Sequence, residues 1–175
     1  PQQFENPANV QIQREQTGVE ILEQVGGPIH GFCSGIGTGG TITGIGETLK
    51  AANPNMTIWA VEPENAAILS GGSIGTHIQM GIGDGLIPAV LNTDIFEDVC
   101  IISDEEALQT SRDLARLEGI MCGISSGTNV AAAKKLAKVF DTIINKAIGA
   151  AKVRLAAKKA KEIARASKSI EVQNL

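Results

Sequence analysis

Apolar residues in the first 139 positions recur in two rhythms. From about Ile12 to Val25 they fall at helical spacing, with Val19, Leu22 and Val25 on one face, and Gly26-Gly27-Pro28 stops the pattern. Ile29–Cys33 is a short apolar run and predicts a strand, after which Ser34–Gly40 is a glycine-rich loop. Thr41–Ala52 is helical again and ends at Asn53-Pro54. Thr57–Val61, rich in β-formers and closed by Glu62-Pro63, predicts a second strand, and Val99–Ile102 a third. Ser103 with Glu106 three residues on is the spacing of a capping box, so a helix starts there and runs to about Glu118, before Gly119. Ile120–Cys122 reads as a further short strand, and a helix beginning near Thr128 runs through the alanines to about Val139.

Strands alternating with helices of this length predict an α/β fold, a parallel sheet flanked by helices on both faces. Ligands in such sheets bind beyond the carboxyl ends of the strands. The stretch 63–94 breaks the alternation. It is mostly irregular, with glycine at 71, 72, 75, 81, 83 and 85, and a loop of that length inside a compact domain is usually functional.

Beyond position 139 the text changes. Residues 1–133 hold 16 acidic and four basic side chains, a net of −12, whereas residues 134–175 hold three acidic and 11 basic ones, a net of +8. Nineteen of the 20 glycines and all six prolines also precede position 134. The expected division is therefore a domain at 1–139 and a basic Ala/Lys-rich tail at 140–175, helical over Ala147–Ser167, with Phe140–Ile144 able to form a short strand first. From Asp141 onward the tail has no aromatic residue and no clear apolar stripe, so neither nucleic acid nor membrane is expected as a partner. The chain starts at Pro1 without Met, which predicts a processed or truncated polypeptide. It shows no signal segment and no apolar run of membrane-spanning length. Cys33, Cys100 and Cys122 are odd in number and far apart, so free thiols in a reducing compartment are expected in place of a disulfide frame or a metal site.

Two loops could carry chemistry. Ser34-Gly-Ile-Gly-Thr-Gly-Gly-Thr41 leaves a strand and opens a helix. Glycines let a backbone approach an anion, a helix start offers unpaired N–H groups, and Thr38 and Thr41 add hydroxyls, so the turn predicts phosphate binding. Gly35-x-Gly37-x-x-Gly40 also fits the dinucleotide fingerprint, with Glu62 ending the next strand where a ribose hydroxyl would be met, so an NAD-binding domain is a rival. Gly123-Ile-Ser-Ser-Gly127 is the second loop, at another helix start. By itself it reads as a helix cap, and a dinucleotide fold has no standard need of it.

Four stretches occur in order: Gln2-Gln-Phe-Glu-Asn-Pro-Ala-Asn9, Gly35-Ile-Gly-Thr-Gly-Gly-Thr41, Ile78-Gln-Met-Gly-Ile-Gly-Asp-Gly-Leu-Ile-Pro88 and Gly123-Ile-Ser-Ser-Gly127. Together they resemble the second half of cysteine synthase (O-acetylserine sulfhydrylase), within the tryptophan-synthase-β-like, fold-type II group of pyridoxal-phosphate enzymes. The resemblance covers about residues 1–138. It implies pyridoxal 5′-phosphate as cofactor, with Gly37, Thr38, Gly39, Gly40 and Thr41 on its phosphate and Ser125 at its ring nitrogen. It implies Gln3 and Phe4 beside the substrate, with Gly81 and Gly83 in the loop bordering the active site. A neutral hydroxyl at the ring nitrogen suits β-replacement. Asp84 and the stretch Asn65–His77 look like tolerated variation.

The same resemblance implies cysteine biosynthesis from O-acetylserine and sulfide by a cytoplasmic homodimer acting on a small amino acid. Cystathionine β-synthase and O-phosphoserine sulfhydrylase stay open within the family. The lysine that would form the Schiff base belongs to the family's first half. None of the ten lysines here, Lys50 and nine from Lys134 onward, stands in that motif, so no catalytic residue is assigned and the chain alone is expected to be inactive. A regulatory or inactive half, or a module that pairs with a separate first half, is the non-enzymatic rival.

Overall fold

The computed structural model describes residues 2–173, with side chains through 155 and at 158. The chain divides into two compact units, Pro1–Leu136 and Ala137–Leu175.

The first unit is built on three parallel strands, β1 (Gly31–Gly35), β2 (Thr57–Pro63) and β3 (Asp98–Ile102), side by side in chain order. Gly31 pairs with Thr57 at one end and Pro63 with Ile102 at the other. Alternation along β2 sorts the core into two layers. Ile58 and Ala60 face α3 (Gly40–Ala52), where Ile42, Ile45 and Leu49 are buried with Leu91 and Ile95 from the long loop. Trp59 and Val61 face the opposite way, toward Cys100 and Ile102 of β3, Ala107 of α4 (Asp104–Glu118), and Ala131 and Ala132 of α5 (Ile124–Gln173). Both strand-to-strand connections thus cross on the α3 face, as right-handed crossovers stepping one way along a sheet must, and α4 and α5 cover the other. The expected parallel sheet with helices on both faces is what the chain forms.

Several boundaries differ from the sequence expectations. The first helical region starts at α1 (Ala8–Ile12), passes through a π-helical turn, Gln13–Thr17, and continues as α2 (Gly18–Val25). The wider turn frees the Arg14 carbonyl, which accepts the Thr48 hydroxyl of α3 at 2.8 Å. β1 lies two residues later than the apolar run that predicted it. Ile120–Cys122 is not a strand: Ile120 N–H bonds back to the Leu114 carbonyl at 3.1 Å, closing α4 through Gly119 at φ 72°. α5 starts at Ile124 and not near Thr128, and Phe140–Ile144 lies within it and forms no strand. No proline interrupts α5, and Ala, Leu and Lys, all good helix formers, dominate both 131–138 and the Ala/Lys-rich stretch beyond.

In the second unit Ile143, Ile144, Ile148, Val153 and Leu155 are exposed among lysines. No helix of the described residues is long and apolar enough to cross a membrane, and no group of three potential metal ligands occurs among them.

Candidate functional site

The turn from β1 into α3 is held from behind by one buried residue. Ile36 donates its N–H to the Val61 carbonyl at 3.1 Å and accepts Gly83 N–H at 2.8 Å, so it ties the turn to both β2 and the long loop. Gly39 then takes φ 82°, a left-handed conformation that a side chain would strain, and α3 begins with neither a side-chain cap nor an acidic residue in its first turn. The first bond back within the helix is Thr43 N–H onto the Gly39 carbonyl at 3.1 Å. Gly40 N–H reaches only Thr38 Oγ1, at 3.4 Å. The N–H groups of Gly37, Thr38, Gly39 and Thr41 meet no acceptor among the described residues.

Those amides belong to the wall of a cleft of about 650 Å³, lined by Gln3, Phe4, Ser34, Gly35, Gly37, Thr38, Gly39, Thr41, Gly81, Ile82, Asp84 and Asn129. Backbone donors at a helix start, open space in front of them and hydroxyls beside them are what a phosphate group requires, so the residues present fit one. Close approach dictates the glycines: a Cβ on Gly37 would stand 2.6 Å from the Gly81 carbonyl oxygen, and one on Gly40 would stand 2.1 Å from Asn9 Oδ1.

Of the residues singled out from the sequence, Gln3, Phe4, Gly37, Thr38, Gly39, Thr41 and Gly81 meet at this one cleft. Gly40 is buried behind the turn, and Gly83 braces it from the side through Ile36. Ser125 is half-buried in the first turn of α5 and is not part of the cleft wall, whereas Asn129, one turn further on, is. Residues spaced by four share a helix face, so Ser125 and Asn129 lie along one side of α5.

Sequence reasoning missed the residues that hold these parts together. Asn9 donates its side-chain amide to the Gln3 carbonyl at 2.8 Å and to Thr38 Oγ1 at 2.9 Å, fastening the N-terminal segment to the glycine turn. Asn129 Oδ1 accepts Gly35 N–H at 2.7 Å at the end of β1. Gln79 is fully buried and fully used: Nε2 donates to the Ile102 carbonyl (3.0 Å) and Asp104 Oδ1 (2.9 Å), and Oε1 accepts the Thr128 hydroxyl (2.8 Å). It joins the long loop to the starts of α4 and α5. A Gln preceding Met-Gly-Ile-Gly was visible in the sequence, but its partners lie 23 to 49 residues away and were not.

The ribose role considered for Glu62 does not hold. Its carboxylate is 4 % exposed and accepts Leu69 N–H at 2.8 Å with Ser70 N–H and Oγ at 3.3 Å, so it organises its own loop. Two of the three thiols are held toward the protonated form. Burial, and then the nearby Cys100, pushes Cys33 up to about 11, and burial raises Cys100.

Comparison with known proteins agrees with this geometry. The family of pyridoxal-phosphate dependent enzymes matches residues 1–142. A cysteine synthase of Staphylococcus aureus is 47 % identical over 139 residues, which is 79 % of this chain and 45 % of that protein. Among solved structures, an O-ureido-L-serine synthase superposes with a TM-score of 0.75 at 40 % identity, over 78 % of this chain and 44 % of the other. The cysteine synthase of Entamoeba histolytica gives 0.71 at 36 %, over 74 % and 38 %. The chain thus spans less than half the length of each of these relatives.

Proposed function

The chain belongs to the family of pyridoxal-phosphate dependent enzymes, and on that premise we propose that residues 1–139 form the cofactor-phosphate side of a cysteine-synthase site, with 140–175 a separate basic helical segment. The reaction is β-replacement: O-acetylserine loses acetate and sulfide takes its place, giving cysteine. One observation carries the reading, the unengaged amides of Gly37, Thr38, Gly39 and Thr41 facing a cleft that also gathers Gln3, Phe4 and Gly81.

In this reading Gly37, Thr38, Gly39, Gly40 and Thr41 grip the phosphate by N–H and hydroxyl donation, in the field of the α3 start. Ser125 meets the ring nitrogen with a neutral hydroxyl, which leaves that nitrogen largely unprotonated. Gln3 and Phe4 stand beside the amino-acid substrate, and Gly81 and Gly83 shape the loop that borders it. Bound there, the cofactor supplies the electron sink for bond breaking at the substrate's Cα and Cβ. Among the described residues no lysine lines the cleft, and Lys50 and Lys135 are paired with Glu97 and Glu106. In this reading the proton-moving lysine belongs to the part of the relatives that this chain does not match. A cytoplasmic homodimer completes the reading: the free Cys33, Cys100 and Cys122 suit a reducing compartment, and sedimentation tests the dimer.

Pyridoxine 5′-phosphate, whose alcohol cannot condense with lysines, tests the site directly. Titrated into isotope-labelled chain, it should shift the amide resonances of Gly37–Thr41 and Ser125; shifts elsewhere only, or none, defeat the assignment. Turnover tests the division of labour. The chain with pyridoxal phosphate, O-acetylserine and sulfide should give no cysteine until the first half of a relative is added, and robust cysteine formation without it would refute that division.

A further inference from the structure

Among the described residues, Asp84 is the one ionisable side chain lining the cleft. It is exposed, and it makes no hydrogen bond or ion pair among the described residues. Its Oδ2 stands 3.7 Å from the position a Cβ on Gly37 would occupy, at the edge of the unengaged amides. The loop that carries it is anchored on three sides. Gly83 N–H bonds the Ile36 carbonyl at 2.8 Å, the His77 ring meets the Gly83 carbonyl at 3.2 Å, and buried Gln79 fixes the stretch before it. The carboxylate is therefore kept at the cleft and cannot drift away with a loose loop.

The two features oppose each other. Bare amides and the start of α3 attract anions. A carboxylate at the same wall repels them, and among the described residues no lysine or arginine lines the cleft to offset it. We propose that Asp84 is a specificity-determining residue, a fixed negative charge that weakens the hold on phosphate and favours neutral over anionic groups beside the Gly37 turn. The proposal rests on the phosphate reading of Gly37–Thr41 given above. Two charges against one, at separations on the order of 6 Å in a water-like dielectric, correspond to about a tenfold loss of affinity at low salt. Screening at physiological ionic strength reduces this to roughly threefold.

The test compares the full chain with its Asp84→Asn and Asp84→Glu variants. Each is titrated with pyridoxine 5′-phosphate and with uncharged pyridoxine, read from the amide shifts of Gly37–Thr41 at low and at high salt. Asp84→Asn should bind the phosphate ester about three- to tenfold tighter than the unaltered chain, because the repelling charge is gone. That gap should narrow as salt is added. Asp84→Glu should stay within about twofold of the unaltered chain, since it keeps the charge. Pyridoxine should bind all three alike. Equal phosphate affinities for Asp84→Asn and the unaltered chain, or a gap that salt leaves alone or that pyridoxine shares, would overturn the role of Asp84 while leaving the phosphate site standing. If the phosphate ester moved the Gly37–Thr41 amides in none of the three proteins, the phosphate reading itself would fall and this proposal with it.

Discussion

Two helices of the first unit begin at the carboxyl ends of strands of one sheet, and their starts are chemically opposite. α4 follows β3 and satisfies itself: Ser103 Oγ accepts Glu106 N–H at 3.2 Å, and Asp104, Glu105 and Glu106 place three carboxylates in the first turn against the helix dipole. α3 follows β1 and does none of this. Gly39 supplies no capping side chain, the first turn holds no acid, and the amides before it stay without acceptors among the described residues. The same topological position thus gives a capped joint in one case and, in the reading proposed above, an anion site in the other, and the difference is local sequence chemistry, Ser-Asp-Glu-Glu against Gly-Thr-Gly-Gly-Thr.

The comparison breaks most readily at Gly37. Its would-be Cβ meets a backbone carbonyl, that of Gly81, which cannot swing aside as a side chain could. Gly37→Ala should therefore push the 81–85 loop off the turn, weaken pyridoxine 5′-phosphate binding at least tenfold and cost roughly 2–3 kcal/mol of stability. Calorimetry and chemical unfolding measure the two effects; a variant that keeps both unchanged would show that the turn and the loop are not packed as described.

Gln79→Leu comes next. Leucine approximates the volume but removes every polar contact, leaving the Thr128 hydroxyl, the Ile102 carbonyl and Asp104 Oδ1 each without that partner. Stranding buried polar groups costs about 1–3 kcal/mol apiece where water cannot reach them. A loss of about 2 kcal/mol by urea unfolding is expected, together with faster amide exchange across 78–85 as the loop loses its anchor. Unaltered exchange there would mean that Gly83 and His77 hold the loop without help.

Ser103→Ala sharpens the contrast from the capped side. Losing an N-cap hydroxyl typically costs about 1 kcal/mol. Because α4's start contributes nothing to the cleft wall, phosphate affinity should not change. A variant that lost affinity as well as stability would show the two starts to be coupled, and the division between joint and site would have to be given up.

Much of this is legible in the sequence, for a physical reason. The strands, α3 and the capping box of α4 leave their mark in residues a few positions apart, and so does the glycine turn, whose donors are backbone N–H groups. What escapes is the long-range wiring: Asn9 to Thr38, Asn129 to Gly35, Gln79 to Thr128. Such bonds join residues that sequence spacing treats as unrelated. The strand expected at Ile120–Cys122 fails because an apolar triplet after Gly119 fits a helix-closing turn as well as a strand, and only the bond from Ile120 to Leu114 decides between them. The helix across 124–173 outruns its expected end for the opposite reason, since nothing marks a boundary where both sides favour the same conformation.

The smallest effect is expected at the far end of α3, where the helix is pinned as firmly as its start is open. Lys50, in the last turn, pairs with Glu97, whose other oxygen accepts Ile58 N–H at 2.5 Å. Burial works to raise the Glu97 carboxyl, but the Lys50 hydrogen bond, the Ile58 amide and the Lys50 charge outweigh it and hold it below its ordinary value. A carboxyl lowered on folding contributes stability that is present above its unfolded value and lost as pH falls through the lower, folded one. Unfolding free energy should therefore decline with acid through and below the usual carboxylate range. Glu97→Gln should flatten part of that decline, by only about 0.5 kcal/mol, since the side chain is 45 % exposed and solvent screens the pair. Phosphate affinity should be the same in both proteins at neutral pH. If Glu97→Gln altered it, α3 would be transmitting a change from its pinned end to its open one, and the two ends could no longer be treated as separate designs on one helix.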